Sequence, residues 1–186
     1  DIARIQKAWL RKNAAIVLQE PFLFSRTLRE NIGITREHPE EEELRRAAAI
    51  ACMDDTISDL TEGYDTMVGE RGVTLSGGQK QRTAMARTLV REAPILIFDD
   101  SLSAVDAETD AKIRKGLQSR IGDATVFLIS HRISTLMEAD LILVLEEGRL
   151  AEQGTHDELL KKDGIYRRIW EIQQKLPEEE EEGVSR

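Results

Sequence analysis

Short apolar runs alternate with amphipathic stretches along most of the chain, and this alternation predicts an α/β fold. Apolar runs of strand length, bounded by polar or chain-breaking residues, occupy 13–19, 95–98, 125–129 and 141–145. The run at 95–98 is apolar without interruption, so we expect a parallel strand covered on both faces. Because helical stretches separate these runs, their order predicts a parallel sheet. A turn at Glu147–Gly148 predicts a shorter strand after 141–145, ending near Gly154.

The amphipathic stretches predict helices, because apolar residues recur in them every three or four positions. Glutamates at 40–43 suit the positive end of a helix dipole, and Thr27 and Thr155 suit the N-cap position of two further helices. The helix after 40–43 has an inner stripe of Leu44, Ala47, Ala48 and Ala51. Other helices are predicted to begin near 56, 103, 132 and 165.

The pentapeptide LSGGQ at 75–79 leads directly into an amphipathic helix at 80–90. Ser76 suits the N-cap, and Gly77 and Gly78 allow backbone amides to approach a ligand closely. The positive end of the helix dipole adds to these amides, so the stretch predicts an anion-binding cup. The alternative is an ordinary helix start after a turn.

One face of this helix is expected to pack against the protein and the rest to face water. Ala86, Leu89, Val90 and Ala93 share the apolar face. The predicted wet faces carry Lys80, Arg87 and Arg91.

Composition narrows the class of protein. The 186 residues are 40% hydrophobic and 33% charged, which suits one globular domain. A net charge of -9 and an aromatic content of 4% argue against nucleic acid as a partner. The single cysteine excludes an internal disulfide. No apolar run reaches the length of a membrane span, and the opening DIARIQKAWL lacks an initiator Met, so we expect a piece of a longer polypeptide.

Polar residues stand at the carboxyl ends of three predicted strands: Gln19, the pair Asp99 and Asp100, and His131. Ligands of parallel α/β sheets gather at this edge. A carboxylate there supplies the hard oxygen that Mg²⁺ prefers, so Asp99 is the metal candidate. His131 alone would more often be a structural histidine.

In their order and spacing, LSGGQ, the block DDSLSAVD at 99–106, the strand ending ISH and the segment VLQEPFLF resemble an ABC transporter nucleotide-binding domain. The resemblance extends to about Leu176, and VGERG at 68–72 is similar to a loop of exporter-type members. It implies a partial P-loop NTPase (RecA-like) parallel sheet with an inserted helical subdomain. The implied RecA-like core is 1–19 with 93–176, the helical signature subdomain is 20–92, and 177–186 is a disordered acidic tail.

The resemblance also implies roles for individual residues. Gln19 would touch Mg²⁺ and sense the transmembrane partner, Asp99 would bind the metal, and Asp100 and His131 would be catalytic. The signature would bind ATP held by the opposite domain of a dimer, through Leu75, Ser76, Gly77, Gly78 and Gln79. The loop that crosses the dimer interface would be Ser103, Ala104, Val105 and Asp106. The implied cofactors are ATP and Mg²⁺.

The implied partners are a second nucleotide-binding domain, as a heterodimer, and transmembrane domains. The resemblance therefore implies a location at the cytoplasmic face of the cell membrane.

The sequence departs from the family pattern in two places. The phosphate loop GxxxxGK[ST] is missing from these residues, and we expect it upstream of Asp1, so the chain should not bind ATP tightly alone.

The second departure is Asp100, which stands where the family usually has a catalytic Glu. Asp is one methylene shorter, and a misplacement of roughly 1 Å can cost about 100-fold in rate. The resemblance therefore implies a slow site in one half of a heterodimeric exporter. A soluble ABC ATPase without a membrane partner and a regulatory cassette that never hydrolyses ATP are the alternatives.

Overall fold

The computed structural model describes residues 1–69, 72–122 and 124–175, and the predicted acidic tail at 177–186 lies outside them. The chain forms two compact units, the first from Asp1 to Ile129 and the second beginning at Ser130. The predicted division into 1–19 with 93–176 and 20–92 stays a prediction.

The described elements alternate as the sequence pattern indicates. The strands are β1 (Ala14–Val17), β2 (Arg26–Thr27), β3 (Met67–Val68), β4 (Ile95–Asp99), β5 (Thr125–Ile129), β6 (Ile142–Glu146) and β7 (Arg149–Gly154). The helices are α1 (Lys7–Asn13), α2 (Leu28–Gly33), α3 (Glu41–Ile50), α4 (Asp54–Ser58), α5 (Gly77–Leu89), α6 (Ala107–Ile121), α7 (Ile133–Leu136), α8 (His156–Leu160) and α9 (Ile165–Lys175).

The first unit contains a parallel sheet in the order β1-β4-β5, which confirms the predicted α/β class. The predicted strand at 13–19 is shorter than expected, because Asn13 ends helix α1, a helix that the apolar pattern did not indicate. The expectation that 95–98 is covered on both faces is met only in part by the described residues, because Ile95 and Ile97 on the second face are half-buried. Leu96 and Phe98 are buried, whereas the other face is open at Ile16 and Phe127, which are 52% and 51% exposed.

Helix α5 is the centre of the core of this unit. It packs against α2, α3 and β1, and the predicted apolar face of Ala86, Leu89, Val90 and Ala93 is buried. The prediction that its other faces are wet is wrong in part: Gln81, Thr83 and Thr88 are buried, and Arg87 is half-buried. The elements around α5 enclose it on several sides, so its polar residues need partners inside the protein.

Three predicted caps of helices are present. Thr27 begins α2, Ser76 begins α5 and Thr155 begins α8, and in each a side-chain oxygen accepts the N–H of the third helical residue. Each third residue is Glu or Gln and returns the bond to the cap's own N–H, which completes a capping box. These local signals fix where the helices start.

The described part of the second unit, 130–175, contains a hairpin and three helices. Strand β6 pairs antiparallel with β7, so the run at 141–145 belongs to this hairpin and is not a further parallel strand. The small core of the unit is formed by Ile133, Ile142, Leu159 and Tyr166. Within the described ranges, no helix of either unit is long and apolar enough to cross a membrane.

Candidate functional site

The signature pentapeptide forms a capped helix start. The Ser76 hydroxyl oxygen accepts the Gln79 N–H at 3.3 Å, and Gln79 Oε1 accepts the Ser76 N–H at 2.9 Å. Gly77 and Gly78 are the first two residues of α5, whose amides have no carbonyl four residues earlier within the helix. Leu75 is buried beneath them. Two amides at the positive end of a 13-residue helix are therefore free to bind an anion.

The helix start also packs closely against the loop at 103–106. A Cβ atom on Gly78 would lie 2.7 Å from the backbone oxygen of Ala104, whereas one on Gly77 would lie 3.9 Å from the Ala104 Cβ. The approach at Gly78 is shorter than any side chain tolerates. The second glycine of the signature is therefore required by a contact within this chain.

The ends of β1 and β4 bring three of the predicted site residues together. Asp99 is the last residue of β4, and Asp100 follows it with a φ of +43°, in the left-handed region. The Asp100 N–H donates to the Ile129 carbonyl at 2.8 Å. The Gln19 side-chain amide donates to Asp100 Oδ2 at 3.4 Å, so these residues share one edge of the sheet as predicted.

His131 belongs to the second unit. Its backbone carbonyl accepts a hydrogen bond from Gln173 Nε2 at 2.7 Å, which ties this segment to α9. The catalytic role of its imidazole stays a prediction.

The loop at 103–106 has local structural roles that the sequence did not indicate. The Ser103 hydroxyl donates to the Asp100 carbonyl at 2.8 Å, and Val105 is buried. Asp106 is the N-cap of α6, where its Oδ1 accepts the Thr109 N–H at 2.9 Å. This hydrogen bond lowers the pKa of the Asp106 carboxyl below its usual value.

Gln81 is a buried residue of the site that sequence reasoning missed. Its Nε2 donates to the Gln19 carbonyl at 3.1 Å and to the Ser103 hydroxyl at 3.4 Å. Its Oε1 accepts the Ala104 N–H at 3.2 Å. Among the polar residues of α5, nothing in the sequence distinguishes Gln81, because its partners are loops far away in the chain.

Asn31 and Arg87 form a second network that the sequence did not indicate. Asn31 is fully buried, and its Nδ2 donates to the Phe24 carbonyl at 2.9 Å and to the Thr27 carbonyl at 3.0 Å. Arg87 donates to the Asn31 and Phe22 carbonyls, each at 2.9 Å, and its guanidinium lies over the Phe24 ring. Burial lowers the pKa of Arg87 below its usual value. The loop after Gln19 is thus fixed to helix α5.

Oxygen ligands for a cation are few at this edge. The described residues contain no group of three or more His, Cys, Asp and Glu side chains arranged to hold a metal ion. Asp99 supplies a carboxylate at the end of β4, and Gln19 uses its amide nitrogen on Asp100, which leaves its amide oxygen for a ligand. This donor set fits Mg²⁺ bound mainly by phosphate and water, and not a metal held by protein alone.

Comparison with known proteins agrees with these features. The ABC transporter family matches residues 1–103, more than half of the chain. The chain is 49% identical over 164 residues to the uncharacterized ABC transporter ATP-binding protein YknU of Bacillus subtilis, covering 88% of this chain and 28% of that protein. It is 46% identical over 170 residues to an ATM1-type heavy metal exporter of Novosphingobium aromaticivorans, covering 91% of this chain and 28% of the exporter.

A solved structure shows the same fold. The structure of a bacterial Atm1-family ABC exporter with ATP bound matches with a TM-score of 0.90 and 45% identity, over 95% of this chain and 31% of that chain. The chain thus spans less than a third of the length of these relatives. The resemblance seen in LSGGQ and the aspartates at 99–100 is confirmed. The chain belongs to the ABC transporter family and matches its nucleotide-binding domain.

Proposed function

We propose that this chain is part of the ATP-hydrolysing engine of an ABC exporter, in which its signature helix binds the γ-phosphate of ATP held by a second nucleotide-binding domain. The observation that carries the proposal is the start of α5, where Ser76 caps the helix and the Gly77 and Gly78 amides are free to bind an anion. The phosphate of ATP is the anion that this family uses.

The sheet edge with Gln19, Asp99 and Asp100 would bind a second ATP molecule. That ATP would be held by this domain, and not by its partner. Asp99 would hold Mg²⁺ together with the Gln19 amide oxygen, and Mg²⁺ would neutralise charge on the phosphates. Asp100 stands where it can orient an attacking water, but its short side chain and its bond to Gln19 hold the carboxylate close to the strand end. We therefore propose that this site is slow and that a partner with a complete site makes a heterodimer with it.

The loop after Gln19 supplies a surface for the transmembrane domains. Phe22 is 70% exposed and Phe24 is 41% exposed, and their rings pack edge to face with centroids 5.2 Å apart. Aromatic residues are enriched in the cores of protein–protein interfaces, so this exposed pair supports a docking role. Because ATP is supplied from the cytoplasm, we propose that the chain lies at the cytoplasmic face of the membrane.

A Ser76→Arg variant of the full-length transporter tests the proposed function. The long Arg side chain would occupy the space in front of the Gly77 and Gly78 amides and exclude the phosphate. The ATP turnover of the assembled dimer should therefore fall by about 100-fold or more. A Lys80→Arg variant, which alters an exposed cation of the same helix, should keep its turnover. Full activity of the Ser76→Arg dimer would exclude the proposed contact with ATP.

A further inference from the structure

A closed ring of hydrogen bonds connects the signature helix to the two loops beside Asp100. Gln81 Nε2 donates to the Gln19 carbonyl and to the Ser103 hydroxyl. The Gln19 side chain donates to the Asp100 carboxylate, and the Ser103 hydroxyl donates to the Asp100 carbonyl. The four residues come from three separate stretches of the chain, and Gln81 is the member that lies on the helix.

The Gln81 amide forms three of the four hydrogen bonds that it can make, all with groups of the protein. It has two N–H donors, which have two acceptors, and its oxygen accepts the Ala104 N–H at 3.2 Å. Its side chain is 5% exposed, so water cannot replace these partners. A buried amide that binds three groups of the protein holds those groups in one arrangement.

The same loop also touches the start of the helix, one turn before Gln81. A Cβ atom on Gly78 would meet the Ala104 oxygen at 2.7 Å, so the backbones of α5 and the loop are in direct contact there. The loop at 103–106 is thus held to α5 by a backbone contact at Gly78 and by side-chain hydrogen bonds at Gln81.

We propose that Gln81 is a positioning residue. Through its hydrogen bonds, the position of the signature helix determines the positions of the Asp100 carboxylate and of the Ser103–Ala104 backbone. The inference rests on the proposed function, because it is in ATP hydrolysis that these positions matter. A displacement of α5 that follows phosphate binding at Gly77 and Gly78 is passed through Gln81 to the Gln19 loop and to the 103–106 loop. The two phosphate-handling regions of this chain therefore move together.

Hydrogen exchange tests the physical link without any nucleotide. In a Gln81→Met variant, which fills a similar volume and forms none of these bonds, the Ala104 amide should exchange at least about 10 times faster. The Ile97 amide in the middle of β4 should keep its rate. Thr88→Val is the matched control, because Thr88 is also buried on α5 but its hydroxyl donates to the Ala84 carbonyl of its own helix.

ATP turnover of the full-length transporter tests the consequence. Gln81→Met should lower kcat about 10- to 100-fold, as expected for a small displacement of reacting groups. The KM for MgATP should change less than about twofold, because an interaction that acts on the positions of catalytic groups affects kcat. A protein that is only destabilised would not separate kcat from KM in this way, and Thr88→Val should leave both constants unchanged.

Ser103→Ala removes the hydrogen bonds of the Ser103 hydroxyl with Gln81 and with the Asp100 carbonyl, and it changes no residue of α5. It should lower kcat in the same direction, and the double variant with Gln81→Met should lose less than the product of the two single effects. An unchanged Ala104 exchange rate in Gln81→Met, or an equal loss of kcat in Thr88→Val, would overturn the inference. Absence of any ATP turnover in the native transporter would refute the proposed function, whereas the exchange rates would still decide whether Gln81 holds the loop.

Discussion

The side-chain amide of Gln19 donates a hydrogen bond to the Asp100 carboxylate at 3.4 Å, although the two residues are 81 positions apart in the chain. Parallel pairing of β1 with β4 places both residues just beyond the ends of neighbouring strands. Asp100, the proposed catalytic residue, is therefore already in contact with the loop that is proposed to face the transmembrane domains. A change in the length or charge of the Asp100 side chain should therefore alter both the position of the carboxylate and the position of the Gln19 side chain.

Asp100→Glu should raise the ATP turnover of the full-length dimer. The added methylene moves the carboxylate outward by roughly 1 Å, so hydrolysis at this site should increase about 10- to 100-fold. The variant should also be less stable by about 1 kcal/mol, because the left-handed backbone at this position suits Asp better than Glu. Turnover is measured as phosphate release and stability by urea unfolding.

Asp100→Asn is the control for this change. It keeps the size of the side chain and the tolerance of a positive φ but removes the charge, so turnover at this site should fall below that of the native dimer. An unchanged rate in Asp100→Glu would show that geometry elsewhere, and not the length of residue 100, limits the site.

Substitutions of Ser76 by Asp and by Asn separate helix capping from phosphate binding. Both side chains are good N-caps, so the free energy of unfolding of each variant should lie within about 0.5 kcal/mol of that of the native chain. The Asp carboxylate repels phosphate, whereas the neutral Asn does not. ATP turnover of the dimer should therefore fall much further in Ser76→Asp than in Ser76→Asn, and equal turnover in the two variants would contradict a phosphate contact at this position.

Arg87→Met should destabilise the chain by about 2 to 4 kcal/mol, because it leaves the carbonyl of the buried Asn31 and the carbonyl of Phe22 without their donor. Lys80→Met on the exposed side of the same helix should cost less than about 0.5 kcal/mol. Free energies of unfolding in urea give both values. A similar small loss in both variants would show that the Arg87 network does not hold the loop.

The Asp106 cap predicts a loss of stability in acid. Its pKa in the folded chain lies below the usual value of 3.8, so its contribution is fully present above about pH 4 and is lost as the pH falls through the folded pKa. Asp106→Asn keeps the cap without a titrating carboxylate. The free energy of unfolding of the native chain should exceed that of Asp106→Asn at pH 6, and the difference should shrink at pH 3. A difference independent of pH would contradict this role.

The sequence predicted the elements of this fold wherever local signals were strong. The threonine and serine caps and the uninterrupted apolar run at 95–98 place helices and strands correctly, because these signals depend on neighbours in the chain. Helix α1 was missed, since none of its residues is buried and its pattern shows no apolar face. The incomplete covering of the second face of β4 was also missed, since an apolar run does not show what packs on it.

The candidate site was predicted in its positions and missed in its connections. Gln19, Asp99 and Asp100 meet at one sheet edge, as strand order alone requires. The helical pattern predicts solvated side chains for Gln81 and Arg87, yet both bind backbone carbonyls about 60 residues away in the chain. A polar side chain gives no sequence signal for burial when its partners are backbone groups, because every residue carries those groups.

The central claim is that this chain supplies the signature half of an ATP site whose phosphate loop belongs to another domain. A calorimetric titration of the 186-residue chain with MgATP tests this claim most directly. We expect no binding tighter than about 1 mM, because the amides of Gly77 and Gly78 alone hold only the last phosphate. Micromolar binding that survives in Ser76→Asp would contradict it, since the chain would then contain a complete pocket that does not use the signature.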